Sequence, residues 1–210
     1  MALSPRRVSL LAALMFPALA LSVPAQANLV SNGNFSSACA SFCTYYAGDA
    51  RVFDWTINSG SIDVDNTPSQ APPGGGYSVD LAGFSPGSIS TTFTSVVGQA
   101  YRVTFMVSGN PDGGGSLKLG TVSAGGQSQG FSYDTVLNNT TRQSMNYLSQ
   151  SFDFFANDTL TTLTFTGGDN DPKWGIMIGN VDVTVTPEPM TLALMGAGLA
   201  GFGVLRRRRK

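Results

Sequence analysis

Residues 101–108 read Tyr101-Arg102-Val103-Thr104-Phe105-Met106-Val107-Ser108. Apolar side chains occupy alternate positions from Tyr101 to Val107, while Arg102, Thr104 and Ser108 fall on the other face. Successive side chains of a β-strand point to opposite faces, so this period of two predicts a strand with one face in a core.

Eight further segments have strand length and alternating or β-branched composition, and clusters of Gly, Pro, Asn and Asp separate them. No segment between the two ends shows a convincing helical pattern. Many short strands with regular turn signals are typical of antiparallel sandwiches and barrels. The predicted fold class is therefore all-β, with strands at residues 61–64, 77–81, 88–93, 101–108, 116–124, 127–133, 149–155, 160–166 and 177–185.

The charge of the 210-residue chain is unevenly distributed. The formal net charge is −1, yet seven of the twelve basic residues lie at the two ends, and residues 28–186 carry five basic and twelve acidic residues. An acidic middle disfavours nucleic acid and anionic lipid as partners, because affinity for phosphates needs clustered Lys and Arg. The chain contains no His, which excludes Ser-His-Asp relays and imidazole zinc sites. We expect a protein that is not an enzyme.

The N-terminus has the organisation of a secretory signal peptide. Arg6 and Arg7 form a basic region, an apolar stretch covers residues 8–23, and Ala25-Gln26-Ala27 supplies a small-residue cleavage site. Cleavage after Ala27 is expected, so that residues 1–27 are removed. The alternative is a retained membrane anchor, which needs a longer apolar span.

The C-terminus combines three elements in order. Pro187-Glu188-Pro189 precedes an apolar, Gly-containing run at residues 190–205, and five cations end the chain. A helix of sixteen residues reaches about 24 Å, slightly less than a bilayer core of about 30 Å. The terminal cations indicate a cytoplasmic tail, with the preceding residues outside.

This ordered trio resembles the PEP-CTERM sorting signal of Gram-negative bacteria, which an exosortase recognises and processes. The resemblance implies export across the inner membrane, transient anchoring through a short transmembrane helix, and release to the cell surface or beyond. Residues 187–210 would be the sorting signal, and residues 28–186 would form one β-sandwich domain.

The two cysteines are spaced C-x₃-C, at Cys39 and Cys43. Thiol pairs in exported chains tend to be oxidised, so a local disulfide is expected. A metal site is disfavoured because the chain has no His, and a redox site because the spacing is not C-x-x-C.

Two groups of polar and aromatic residues are candidate sites. In a predicted loop, Trp174 follows Asp169, Asp171 and Lys173. This combination suits sugar binding, because aromatic faces stack on pyranose rings and charged side chains form hydrogen bonds with sugar hydroxyls. The alternative is a Trp174 that caps the core. Other aromatics considered as exposed candidates are Tyr45, Tyr46, Trp55, Tyr77, Tyr133 and Tyr147, with core packing favoured for Trp55.

Asp63 and Asp65 lie two positions apart and share a face, and so do Asp169 and Asp171. Paired carboxylates can bind Ca²⁺ or perform glycosidase acid and base steps. The more ordinary interpretation of both pairs is solvated charges of turns and strands.

Several ordered motifs carry a wider resemblance. They are Asn28-Leu29-Val30-x-Asn32-Gly33-x-Phe35, Gly60-Ser61-Ile62-Asp63, Tyr77-Ser78-Val79-Asp80-Leu81, Pro86-Gly87-Ser88-Ile89-Ser90, Gly109-Asn110-Pro111-Asp112, Phe152-x-Phe154, Leu163-Thr164-Phe165 and residues 175–183. Together they resemble the choice-of-anchor C family, which is similar to galactose-binding-like jelly rolls. The resemblance implies a two-sheet jelly roll that contacts polysaccharide. Related domains hold a structural Ca²⁺ at acidic positions where this chain has Ser36 and Gly179, and no other cofactor is expected.

These features lead to one functional hypothesis with two alternatives. We expect an exported, exosortase-sorted, noncatalytic protein of the cell surface or extracellular matrix that binds exopolysaccharide. The first alternative is a structural or adhesive matrix component that acts through protein contacts, and the second is a glycosidase.

Overall fold

The computed structural model describes residues 27–36, 41–49, 54–168 and 172–186. All regular secondary structure in these residues is β-strand. The strands are β1 (Cys43–Tyr46), β2 (Thr56–Ser59), β3 (Ser61–Asp65), β4 (Ser78–Asp80), β5 (Ser88–Thr94), β6 (Ala100–Gly109), β7 (Leu117–Ala124), β8 (Gln127–Asp134), β9 (Leu148–Phe155), β10 (Leu160–Gly167) and β11 (Ile176–Val185).

The strands form two antiparallel sheets. One has six strands in the order β1-β3-β4-β11-β6-β9, and the other has five in the order β2-β5-β10-β7-β8. This arrangement confirms the predicted all-β fold, an antiparallel two-sheet sandwich of the jelly-roll type. Neighbours in the sheets are often far apart in sequence, so most of the core depends on long-range pairing.

All nine predicted strands are present, and most of their ends shift by one residue. Strands β1 and β2 were not predicted. Each has four residues without a clear alternating pattern, and β1 pairs with β3 alone among the described strands. Short strands of this kind form because a neighbouring strand offers hydrogen bonds and packing.

The core lies between the inner faces of the two sheets. In β6, the alternate residues Tyr101, Val103, Phe105 and Val107 are at most 2% exposed, as their period of two predicts. Phe105 joins the two layers, because its ring centroid lies 5.0 Å from that of Phe165 in β10. Aromatic rings at such distances add edge-to-face attraction to the burial of apolar area.

Three aromatics considered as exposed candidates are in fact buried. Trp55 packs in the core, as favoured, with its ring 5.1 Å from that of Phe35. Tyr45 points inward from β1 and is 3% exposed. Tyr133 is 2% exposed, and its hydroxyl exchanges a hydrogen bond with Thr140 at 2.8 Å. The interpretation of Tyr45 and Tyr133 as surface residues was therefore wrong, because both lie on the inner faces of their strands.

Several predicted features lie outside the described residues. They are most of the signal peptide, Cys39, Asp169, Asp171 and the sorting segment from Pro187 onward. Cys43 is half-buried in β1, and its disulfide with Cys39 stays a prediction. The part of the chain that the structure describes contains no helix with the length and apolar character needed to cross a bilayer.

Candidate functional site

A row of polar side chains crosses the outer face of the six-stranded sheet. The pairing register places Thr44 opposite Asp63, Asp63 opposite Asp80, and Asp80 opposite Met177. Residues directly opposite each other in antiparallel strands have Cβ atoms about 4.5–5.5 Å apart. Because the strands lie in the order β1-β3-β4-β11, four residues that are distant in sequence form one continuous row across the sheet. They are Thr44, Asp63, Asp80 and Met177.

Asp80 is buried at the centre of this row. Its carboxylate accepts hydrogen bonds from the Asn110 amide at 2.7 Å, the Ala82 backbone N–H at 2.9 Å and the Gly175 backbone N–H at 3.0 Å. Burial raises the pKa of Asp80 to about 8, and the hydrogen bond from Asn110 opposes that rise. Because Asp80 holds the segments that follow β4, β6 and β10, its role is to position the loops around the row.

The glycine at position 175 is needed for this arrangement. A Cβ atom there would lie 2.6 Å from the Asp80 carboxylate and 2.7 Å from the Ala82 side chain. Only a residue without a side chain lets the backbone N–H approach the buried carboxylate so closely.

Asp63 and Asp65 lie on the same face, as predicted, and differ in their partners. The Asp63 carboxylate accepts a hydrogen bond from the Thr44 hydroxyl at 2.6 Å, and burial raises its pKa. Asp65 accepts from the backbone N–H of Thr67 at 2.6 Å, which closes a local turn after β3. Each carboxylate thus has one oxygen that is hydrogen-bonded within the chain, and Asp63 is partly exposed whereas Asp65 is only 7% exposed.

These residues line an open cavity of about 400 Å³, which we call the groove. Three of its lining residues are aromatic. Phe42 precedes the edge strand β1 and Phe84 follows β4, whereas Trp174 precedes β11. Phe84 is 60% exposed and stacks at 6.3 Å on Tyr46 of β1. The remaining lining residues are Thr44, Asp63, Asp65, Gln70, Asp80, Gly83, Asn110, Asp112, Arg142, Lys173 and Met177.

Trp174 is held in the groove by contacts to its ring and its backbone. The side-chain ring packs against Gly113, where a Cβ atom would lie 3.1 Å from ring carbons. The Trp174 carbonyl accepts a hydrogen bond from the ammonium group of Lys118, which also donates to the Gly113 carbonyl at 2.9 Å. Lys118 is 1% exposed, whereas Trp174 is 36% exposed. The indole is therefore a positioned surface residue and not a core plug.

Arg142 and Asp112 form an ion pair at the groove. Both guanidinium contacts are charge-assisted, with Nη2 donating to Oδ2 at 2.6 Å and Nε donating to Oδ1. The pair raises the pKa of Arg142. Exposed pairs of this kind contribute little to stability, so its effect is mainly to orient the loops that carry the two residues.

The structure brings together the two candidate groups that the sequence treated separately. Lys173 and Trp174 line the same groove as Asp63 and Asp65, while Asp169 and Asp171 lie outside the described residues. Sequence reasoning missed Phe42, Phe84, Asp80, Asn110 and Arg142. For Phe42 and Phe84 the available signal was a large apolar residue within a Ser- or Gly-rich segment.

The carboxylates are poorly placed for glycosidase chemistry. Such chemistry needs two carboxyl groups that both reach the substrate, one on each side of the scissile bond. Asp80 is buried and its oxygens already accept three N–H groups, so it is unsuited to donate or remove a substrate proton. The other described carboxylates that line the groove are those of Asp63 and Asp65, which lie on one strand, and that of Asp112, which is paired with Arg142.

A second concavity lies where the resemblance implies Ca²⁺, between the N-terminal segment and β11. Its only carboxylate is that of Asp182, whose Oδ1 is buried without a hydrogen-bond partner among the described residues. The Asn28 amide oxygen already accepts from Val30 and Val183. Ca²⁺ takes six to eight oxygen ligands, so these side chains do not fit the implied ion.

The described residues contain no group of three or more His, Cys, Asp or Glu side chains that could hold a metal ion. A metal bound by Asp63 and Asp65 stays a prediction.

The fold and the groove define a two-sheet β-sandwich domain with an open, aromatic and acidic surface site. Residues 28–184 match the model of the family described as a protein of unknown function (DUF642), and the chain belongs to this family. Residues 185–209 match the PEP-CTERM protein-sorting motif, which confirms the predicted sorting signal and indicates export in a Gram-negative bacterium.

Solved structures with a similar backbone include several that concern sugars. TmCBM61 in complex with β-1,4-galactotriose is 17% identical with a TM-score of 0.46, and the match covers 76% of this chain and 99% of that chain. A family 35 carbohydrate-binding module from Clostridium thermocellum is 12% identical with a TM-score of 0.46, over 70% and 100% of the two chains. An exo-β-1,3-galactanase from Phanerochaete chrysosporium is 17% identical with a TM-score of 0.41, over 69% and 29%. No curated protein matches the sequence.

Proposed function

We propose that this protein binds a neutral polysaccharide in the groove, as a noncatalytic component of the cell surface or extracellular matrix. The observation that carries the proposal is that the Trp174 indole and the Asp63 and Asp65 carboxylates line one open cavity. An aromatic face stacks on the apolar face of a pyranose ring, and carboxylates accept hydrogen bonds from neighbouring hydroxyls. A cavity of about 400 Å³ also lies within the usual range of ligand clefts.

The charges of the groove favour a neutral ligand. Asp63, Asp65 and Asp112 face Arg142 and Lys173, and Asp112 is already paired with Arg142. A uronate chain would bring its carboxylates close to Asp63 and Asp65, where like charges repel. A neutral hexose carries no charge and avoids this cost, and its hydroxyls can donate hydrogen bonds to the carboxylates.

Export and sorting determine where in or outside the cell this protein would bind polysaccharide. In this proposal the signal peptide is removed after Ala27, Cys39 and Cys43 form a disulfide, and an exosortase cleaves near Pro187-Glu188-Pro189. The choice-of-anchor C assignment agrees with such a surface-sorted domain. Intact mass spectrometry of the secreted protein tests these steps together, because each changes the mass by a known amount.

A binding experiment tests the ligand. Every core residue in the described part of the chain lies between Val30 and Val183, so a fragment of residues 28–186 retains the core. We expect this fragment to be retained by neutral galactan or glucan, and Trp174→Ala to weaken retention about tenfold or more, equivalent to about 1.4 kcal/mol. The matched control is Phe155→Ala, which removes a 61% exposed aromatic away from the groove. Equal weakening by both variants, or no retention of the folded fragment by any neutral polysaccharide, would exclude glycan binding at the groove.

A matrix component that acts through protein contacts is the second candidate. Val136 and Leu137, in the segment between β8 and β9, are 71% and 80% exposed. Exposed apolar residues of this size can mark a contact with another protein. This candidate predicts that Leu137→Asp reduces cohesion of the extracellular matrix while glycan retention is unchanged.

A further inference from the structure

The described chain leaves the domain at Thr186, at the end of β11. The Thr186 backbone N–H donates to the Ala100 carbonyl at 2.9 Å, and the Gln99 side chain donates to the Thr186 carbonyl at 3.3 Å. The exit is therefore fixed beside the turn between β5 and β6.

Two other turns lie at the same end of the sandwich. The Gly98 N–H donates to the Ala156 carbonyl at 2.8 Å, which joins the β5–β6 turn to the β9–β10 turn. The Gln127 side chain donates to the Phe155 carbonyl at 3.1 Å, which adds the β7–β8 turn. Three turns and the chain exit thus form one end surface.

Exposed apolar residues lie in one of these turns and on both sides of another. Val96, Val97, Phe155 and Leu160 have exposed fractions between 59% and 64%. The carboxylate of Asp158 lies nearby and accepts from the Thr159 backbone N–H at 2.6 Å. We call Val96, Val97, Phe155 and Leu160 the exit patch.

The chain beyond Thr186 limits where the exit patch can be before processing. Met190 begins the apolar run, and the four residue steps from Thr186 to Met190 span at most about 14 Å. The headgroup layer of one leaflet is roughly 5–8 Å thick. When residues 190–205 enter the bilayer, the end surface is therefore held at or just above the headgroups.

We propose that the exit patch rests on the outer surface of the inner membrane while the sorting segment is inserted. Val and Leu side chains bury apolar area at the boundary between headgroups and acyl chains, and Phe suits that boundary equally well. The tether supplies the high effective concentration that so small a patch needs, because the acidic domain gains no attraction from anionic headgroups. The proposal depends on insertion of residues 190–205 and is independent of glycan binding.

This orientation has a consequence for the groove. Strand β11 runs from Ile176 near Trp174 to Val185 at the exit, and ten strand residues span roughly 30 Å. The Trp174 loop therefore points away from the bilayer, and the groove stays accessible before the chain is cleaved.

Hydrogen exchange measured by mass spectrometry tests the contact. Residues 28–210 are reconstituted into vesicles of phosphatidylethanolamine and phosphatidylglycerol, and the fragment 28–186 is mixed with the same vesicles for comparison. We expect severalfold slower exchange in peptides covering residues 95–99 and 155–160 of the tethered chain only. The combined change Val97→Asp and Phe155→Asp is expected to remove the slowing, whereas Leu137→Asp, at the opposite end, is expected to leave it unchanged.

Four results would overturn the proposal. The first is equal exchange at the exit patch in the tethered chain and the fragment. The second is equal slowing at residues 135–147, which indicates general shielding. The third is protection that requires an added exosortase, which would make the patch a protein contact. The fourth is a full chain that does not float with the vesicles, because the proposal requires insertion of residues 190–205. That result would have no bearing on glycan binding by the fragment.

Discussion

The buried ammonium group of Lys118 donates a hydrogen bond to the backbone carbonyl of Trp174, and so connects the indole that lines the groove to strand β7. The same group donates to Gly113, on which the indole packs. One side chain thus orders two loops that belong to different parts of the sequence.

Replacement of Lys118 is expected to cost both stability and binding. Lys118→Met keeps the volume of the side chain but leaves the Gly113 and Trp174 carbonyls without their donor. A lost partner of this kind costs about 1–3 kcal/mol of unfolding free energy. Urea unfolding and glycan retention would measure the two effects, with the exposed Lys173→Met as the stability control. Unchanged unfolding free energy in Lys118→Met would contradict the positioning role.

A side chain at position 113 is expected to displace the indole. Gly113→Val places carbon atoms in the space where the Trp174 ring now lies, whereas a Cβ atom added at Gly115 would meet no atom within 4 Å, and the φ of Gly115 is ordinary. We expect Gly113→Val to weaken glycan retention severalfold and Gly115→Val to retain it. Tryptophan fluorescence provides a second measurement, because a displaced indole changes its exposure to water. Identical spectra and retention in the two variants would show that the packing on Gly113 is unimportant.

The domain is expected to lose stability as pH rises from about 4 to about 8. Burial raises the pKa of Asp80 to about 8 and also raises the pKa values of Asp63 and Asp182. A raised pKa means that the folded state binds more protons than the unfolded state between the two pKa values, so the unfolding free energy falls with pH in that window. Arg102 lowers the pKa of Asp153, which acts in the opposite direction, but that carboxylate is exposed and screened by solvent.

Chemical unfolding at several pH values measures this slope. For a single group it is at most about 1.4 kcal/mol per pH unit. Asp80→Asn removes the main titrating group. We expect the unfolding free energy of that variant to depend less on pH than that of the wild type, whatever its absolute stability. If the unfolding free energy of the wild type instead rises between pH 4 and 8, the three N–H donors would lower the pKa of Asp80 more than its burial raises it.

The groove is expected to discriminate against acidic polysaccharides. Retention of the fragment 28–186 by polygalacturonate should be much weaker than by neutral galactan at low ionic strength. The double variant Asp63→Asn and Asp65→Asn should reduce the difference in retention between the two polysaccharides. The amides keep a hydrogen-bonding oxygen but no longer repel the uronate carboxylates. Stronger binding of the unaltered fragment to the uronate would show that Arg142 and Lys173 dominate the groove.

Much of the fold could be predicted, because alternation is a local property of the chain. The pattern at Tyr101 to Val107 identified β6, and the same rule located all of the longer strands. It failed at β1 and β2, since neither segment shows a clear alternation of apolar and polar residues. It also failed for the inward side chains of Tyr45 and Tyr133, because a strand pattern alone does not say which face the second sheet covers.

The candidate site was predicted only in pieces. Trp174 and Lys173 were recognised from their loop composition, and Asp63 and Asp65 from their shared face. Nothing local connects position 63 with position 174. Phe84 and Asp80 were missed, because an apolar residue in a loop and an acidic residue in a strand each have ordinary explanations.

The sequence by itself determined the strand periodicity, the acidic and His-free middle, and the two terminal signals, since each depends on composition or spacing within a short window. Only the tertiary structure decided that Asp63, Asp80 and Trp174 meet in one groove and that the chain leaves the domain beside an apolar patch. Both results depend on the strand order β1-β3-β4-β11-β6-β9, which brings together residues more than a hundred positions apart. That order is set by the packing of two whole sheets on a shared core, and no single segment of the chain encodes it.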